Sequence, residues 1–166
     1  MNTSKLTGLI PTDAEIRNIK AKHRIIFACI KAARCLTSLK DRSAEKFVGC
    51  AISSIDELSE KEICQRAMVY AGCAEIYSIM NMGDKAAFYV NSAAKEIMNA
   101  KRNSYIRDHD KIILSIARAG VNIKDAEIVE TAMKLCNNIG DRNYYLSGLC
   151  GLAISYAHLG KTKKIS

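Results

Sequence analysis

Residues 150–160 read CGLAISYAHLG, residues 110–120 read DKIILSIARAG and residues 73–83 read CAEIYSIMNMG, and the three can be laid over one another in register. In that alignment Ser78, Ser115 and Ser155 form one column, and Gly83, Gly120 and Gly160 form another. A period of about 37 to 40 residues is too long for one helix and right for a helix pair. Each unit is therefore predicted to be an αα-hairpin stacked on the next.

Working outward, the chain supplies helical punctuation on both sides of these stretches. Thr12 with Glu15, just after Pro11, has the form of a capping box, and Ile19, Ile26, Ile30 and Ala33 recur at helical spacing to about Leu39. Asp41 is predicted to cap a second helix whose inward stripe is Phe47, Cys50, Ala51, Ser54 and Ile55. Ser59 and Glu62 form another capping box, opening a helix that runs to about Met82 and ends at Gly83. Asp84 then begins a helix carrying Ala87, Val90, Ala94 and Ile97. A polar turn at Lys101–Ser104 follows, and then a helix from Tyr105 to Ala119 closed by Gly120. Asp125 opens a helix with Ala126, Val129, Met133 and Cys136 in phase, closed by Gly140, and Asp141 caps a last one that runs to Leu159. The count is seven helices. One proline, no tryptophan and no period-2 alternation agree with an all-α chain.

The repeat units resemble the tetratricopeptide family. Leu152, Ala153, Tyr156 and Gly160 follow its large–small–aromatic–glycine order, with Ala126 as the small residue past the preceding unit's glycine. Ile112, Ile113, Ile116 and Gly120 repeat the order; Ile76, Ile79, Gly83 and Ala87 repeat it more faintly, and Ala32, Ala33 and Leu36 more faintly still. The resemblance spans roughly 64–160. The family's tryptophan, the glycine beside its large residue and its closing proline are absent. It implies an all-α, right-handed αα-superhelix of about three and a half helix-turn-helix repeats, and a concave groove that holds a protein or peptide partner. The expected organisation is a single helical repeat domain over 1–166, with a flexible N-terminus at 1–11 and a basic tail at 161–166.

With 49% hydrophobic and 25% charged residues, the chain has ordinary globular composition, and disorder is not the default. Met1–Ile10 lacks the apolar run of a secretory signal. The longest uncharged window, Asn143–Gly160, is too short and too polar for a membrane span. Seven cysteines, odd in number and never spaced C-x-x-C, fit a reducing compartment. A cytoplasmic protein is expected. Cys29, Cys50, Cys64, Cys73, Cys136 and Cys150 fall on apolar stripes and are read as core, with Cys35 among basic neighbours.

Enzymatic motifs are missing. Arg107-Asp108-His109-Asp110 is the one place where histidine sits among carboxylates. A metal site there would need further ligands, and His23 and His158 are the only other histidines. It is read as a solvated first helical turn whose acids suit the helix dipole. Gly148-Leu149-Cys150-Gly151 lacks the lysine of a phosphate loop. No catalytic residue, metal or cofactor is expected.

Two surfaces remain as binding candidates. In the repeat alignment Asn81, Arg118 and His158 occupy one position, the serine column lies one turn earlier, and Ala74, Lys111 and Gly151 lie one turn before that. Lys111, Arg118, Asn81, His158, Ser78, Ser115 and Ser155 are thus predicted to line a groove with donors for an acidic segment. The alternative is nucleic acid. Net charge is +8, and 17–42 holds eight Lys and Arg against one acid, with Arg17, Lys20, Arg24, Lys31 and Arg34 sharing one helical face. No aromatic residue interleaves with that stripe to stack on bases, which favours a solubilising outer face of the terminal repeat. Finally, Leu149, Leu152, Tyr156 and Leu159 are expected to form an uncovered face of the last helix, through which a homodimer would form.

Overall fold

The computed structural model describes residues 13–58, 62–99, 108–137 and 142–160. All of its regular elements are helices: α1 (Asp13–Ser38), α2 (Ala44–Ser53), α3 (Ile63–Ile79), α4 (Gly83–Asn99), α5 (His109–Asn122), α6 (Ala126–Cys136) and α7 (Arg142–His158). Seven helices and no strand are thus present among the described residues, as the patterning predicts. None of these helices is long and apolar enough to cross a membrane. The expected caps at Thr12, Ser59 and Asp141, the turn at Lys101–Ser104 and the closing Gly140 lie outside the described residues.

Helix termination sets the register. Lys40, Asn81, Lys124 and Gly160 follow α1, α3, α5 and α7, and each has a left-handed backbone, with φ of 58°, 58°, 57° and 68°. At the first three the chain makes the paired bonds of a Schellman motif. Lys40, Asn81 and Lys124 donate to the carbonyls of Thr37, Ser78 and Val121, while the next residues, Asp41, Met82 and Asp125, donate to Leu36, Tyr77 and Gly120 at 2.8–2.9 Å. A left-handed conformation costs a non-glycine residue about 1–2 kcal/mol. Two recovered backbone bonds offset it. The chain then turns at once into α2, α4 and α6. Asp125 is the N-cap of α6, accepting from the amides of Glu127 and Ile128, and Asp41 accepts from Ser43 N–H at 2.8 Å just ahead of α2.

These ends correct the glycine column. Gly83 does not stop α3; it begins α4, and Asn81 takes the left-handed position. Gly120 lies inside α5, where a Cβ would meet Val129, Ile128 and the Asp125 carbonyl. Only Gly160 plays the capping part predicted for all three. Aligned on Lys40, Asn81, Lys124 and Gly160, the odd-numbered helices share other columns. Ala33, Ala74, Ala117 and Ala153 stand seven residues before these positions, and Lys31, Gly72, Ser115 and Gly151 stand nine before.

The second column explains how the odd-numbered helices approach. Consecutive ones pack on each other, α1 on α3, α3 on α5 and α5 on α7, and each also packs on the even-numbered helix that follows it where one exists. Ile30 of α1 bears on Gly72 of α3, and Leu114 of α5 fills the space where Gly151 of α7 would carry a side chain. In both cases a residue ten before the helix end enters the gap nine before the end of the next.

α3 is the centre. Every residue from Ala71 to Ser78 is buried, since α1, α2, α4 and α5 surround the helix. One apolar cluster takes Val69, Cys73, Ile76 and Tyr77 with Ile26, Ile30, Val48 and Ile55. The other takes Ala67, Ala71 and Ala74 with Ile112, Ile113, Ile116, Leu135, Leu152 and Tyr156. Tyr89 of α4 stacks on Tyr77 with ring centroids 5.5 Å apart. The α2 stripe agrees with expectation at Ala51 and Ile55 and differs at its start. Val48, Ala51 and Ile55 face inward, whereas Phe47 and Cys50 are exposed.

Candidate functional site

The register puts Arg34, Glu75, Arg118 and Ile154 in one row, six residues before each helix end. The first three touch. Glu75 on α3 is 8% exposed, so its charge needs partners close at hand. Arg34 of α1 donates Nη2–H to its Oε2 at 2.7 Å, and Arg118 of α5 brings Nη1 to 3.5 Å from Oε1. The same Arg34 Nη2 reaches past α3 to the Ser115 hydroxyl of α5 at 3.3 Å. Gly72 of α3 lies beneath it, where a Cβ would be in ordinary contact with Nη2 at 3.8 Å.

One turn further along, the Ser78 hydroxyl donates to the Glu75 carbonyl at 2.6 Å and accepts from Asn122 Nδ2 at 2.9 Å. Beyond this lies a cleft of about 700 Å³ between the ends of α1 and α3. Thr37, Ser38, Lys40, Asp41, Arg42 and Glu45 line one side, and Ile79, Met80, Asn81 and Met82 the other. Ile79 is 45% exposed at its mouth. Charge at one end and apolar surface at the other therefore lie within a single turn of helix.

The predicted groove residues separate into three groups. Arg118 and Ser115 belong to the arginine cluster. Lys111 is exposed two turns earlier on α5 and is bonded to Asp108 at 2.6 Å. Asn81 is exposed but caps α3 beside the cleft, not next to Arg118, and His158 is exposed at the end of α7. The serine column is predicted to line the groove. Instead all three are buried and engaged, Ser155 donating to the Gly151 carbonyl at 2.9 Å, and the gaps at Gly72 and Gly151 are filled by Ile30, Arg34 and Leu114. What stands at this face is a pair of guanidinium groups, Arg34 and Arg118, over close-packed helices.

The basic stripe of α1 is divided. Arg34 turns toward α3, and His23 at the stripe's margin contacts Glu62. Arg24 and Lys31 stay exposed, and the side chains of Arg17 and Lys20 lie outside the described residues. Glu75 and Gly72, which organise the site, went unnoticed in the sequence; a carboxylate in the middle of an otherwise uncharged run, 67–83, was the available signal.

The His109 region differs from its reading as a solvated turn. Asp108 and Lys111 fit that description, but His109 is buried, its Nε2 has no partner among the described residues, and burial lowers its pKa despite the opposing charge of Asp110. Asp110 accepts from Ser147 at 3.1 Å. Among the described residues no three His, Cys, Asp or Glu side chains gather as a metal site would require. The cysteines also depart from expectation. Cys73 and Cys136 are buried, Cys29 and Cys64 half-buried, while Cys50 and Cys150 join Cys35 at the surface.

No family model matches this chain, and neither a curated protein nor a solved structure does.

Proposed function

We propose that the chain is a non-enzymatic interaction module, a two-layer, right-handed αα-solenoid similar to tetratricopeptide arrays, which binds an acidic peptide segment across α1, α3 and α5. One observation carries the reading: Glu75, buried in α3, holds Arg34 and Arg118 side by side while their side chains remain 43% and 64% exposed. Arginine has five N–H donors in a planar fork that matches a carboxylate, and the glutamate uses few of them. A side chain already held in place loses less freedom on binding. Lys31 and Lys111 extend the positive face along α1 and α5, and the cleft at Ile79, Met80 and Met82 would take an apolar residue next to the partner's acid.

Selection from a displayed random-peptide library tests it. Enrichment of Asp and Glu flanking a large apolar residue is expected, with at least tenfold weaker binding to Arg118→Glu, about 1.4 kcal/mol. Enrichment without acids, or unchanged binding by that variant, would overturn the reading. Capture of nucleic acid, lost steeply as salt rises and dependent on Arg24 and Lys31, would instead favour the α1 stripe.

A further inference from the structure

The face of each odd-numbered helix that receives the next can be read from the register. It comprises Ile26, Ile30, Ala33 and Thr37 on α1, Ala67, Ala71, Ala74 and Ser78 on α3, and Asp110, Leu114, Ala117 and Val121 on α5. On α1 and α3 all of these are buried. The equivalent residues of α7 are Leu146, Cys150, Ala153 and Ala157, and no described helix covers them. Leu146 is 49% exposed, its neighbour Ile154 is 60% exposed, and Cys150 and Ala157 are exposed. The expected open face of Leu149, Leu152, Tyr156 and Leu159 is thereby corrected. Leu152 and Tyr156 are fully inside, packed with α5 and α6, and the apolar surface is on the opposite side of the helix.

We infer that this face of α7 is a dimerisation surface on which a second copy of the chain seats its own α7, antiparallel, about a twofold axis at Cys150. Three observations select this occupant. The surface continues the rows that already join α1 to α3, α3 to α5 and α5 to α7, so it has the form of a helix-receiving face. Residues 143–160 carry no Asp, Glu, Lys or Arg, so two copies meet without like-charge repulsion along the seam, and antiparallel helices oppose their dipoles favourably. The stripe is also symmetric. Leu146 and Ile154 stand four residues either side of Cys150, so a twofold there places each Leu146 against the other copy's Ile154 and brings the two Cys150 together. The opposite end of the molecule lacks this character: where α3 and α7 offer Gly72 and Gly151 to the preceding helix, α1 has the exposed Lys31. A head-to-tail chain of copies would set Lys31 against Cys150.

One helix face is a small interface, at the low end of the size range of specific contacts, so association is best read at high protein concentration. Sedimentation equilibrium of the full chain at about 50 micromolar should show mainly dimer. Ile154→Glu should weaken association at least tenfold with unchanged helical circular dichroism. Mild oxidation supplies a second reading, because Cys35 and Cys50 are also exposed and act as internal controls. Covalent dimer should form in wild type and disappear in Cys150→Ser, while Cys35→Ser with Cys50→Ser should leave it in place. A monomer at that concentration, a dimer unaffected by Ile154→Glu, or crosslinking through Cys35 or Cys50 would each overturn the inference.

Discussion

Gly120 and Asp125 are locked together from two directions. The Asp125 amide donates to the Gly120 carbonyl at 2.8 Å, closing the end of α5, and the Asp125 carbonyl would lie 2.9 Å from any Cβ placed on Gly120. Val129 and Ile128 approach the same point to 2.8 and 3.0 Å. Gly120→Ala gains about 1 kcal/mol of helix propensity but must displace backbone and two branched side chains, an overpacking cost of about 1–3 kcal/mol or more. A net loss of about 1–2 kcal/mol is expected by urea denaturation. Gly49→Ala, inside α2 with nothing within 4 Å of the new methyl, should instead stabilise by up to about 1 kcal/mol. A stabilising Gly120→Ala would show that α5 and α6 are not this close.

The two arginines beside Glu75 should contribute unequally to stability. Arg34 is the nearer partner at 2.7 Å, and losing it leaves a buried carboxylate with only the looser Arg118. Breaking fully buried pairs costs 3–5 kcal/mol, but Arg34 is partly exposed, so Arg34→Gln should cost about 1–2 kcal/mol. Arg118→Gln should cost less than about 1 kcal/mol. Equal losses, measured by thermal unfolding, would mean that Glu75 is held by both alike.

Lys111→Gln combined with Arg118→Gln should cost less than about 1–2 kcal/mol of stability while binding of a selected acidic peptide falls at least tenfold. Both side chains are largely exposed, so their ion pairs with Asp108 and Glu75 contribute little. Loss of several kcal/mol of stability would contradict that exposure.

Thiol reactivity should fall into three classes. Cys35 and Cys50 are exposed and should react first with a disulfide reagent in the native state, joined by Cys150 in protein dilute enough to be monomeric. Cys29 and Cys64 should follow slowly, Cys64 being pushed up to about 11 by burial and the nearby Asp108. Cys73, raised by burial to about 12, and Cys136 should wait for unfolding. The thiolate is the reacting form, so both exposure and acidity set this order. Early labelling of Cys73 would place α3 nearer the surface than described.

His109 should make the fold sensitive to acid. Burial lowers its pKa below the ordinary value near 6.5, so between the two values the unfolded chain binds more protons than the folded one. Stability is then full above about pH 6.5 and falls as pH drops through the folded-state pKa. His109→Leu should flatten that part of the stability–pH curve. A curve unchanged by the substitution would assign the acid sensitivity to other groups.

Helix number and type were legible because apolar residues recur every three or four positions in long runs, as at Val90, Ala94 and Ile97. Register was not. The pattern makes Gly83 and Gly120 helix stops, whereas Gly83 begins α4 and Gly120 serves close approach between helices, and lysine and asparagine take the left-handed positions at Lys40, Asn81 and Lys124. Nothing local marks that exchange, because it depends on what packs against each backbone. Arg118 and Ser115, one helical step apart on α5, both reach the Arg34–Glu75 pair. Glu75 was missed because its meaning comes from Arg34, distant in sequence, and a pairing across helices leaves no periodic trace.

With α3 as the wall common to both apolar clusters, neither side of the molecule can melt alone without stripping one flank of this helix. Its amides should therefore exchange with solvent last and at a common rate, opening only when the whole chain does. Damage near Val69 or Ile76 would be felt as a loss of cooperativity throughout the molecule, not as a local defect.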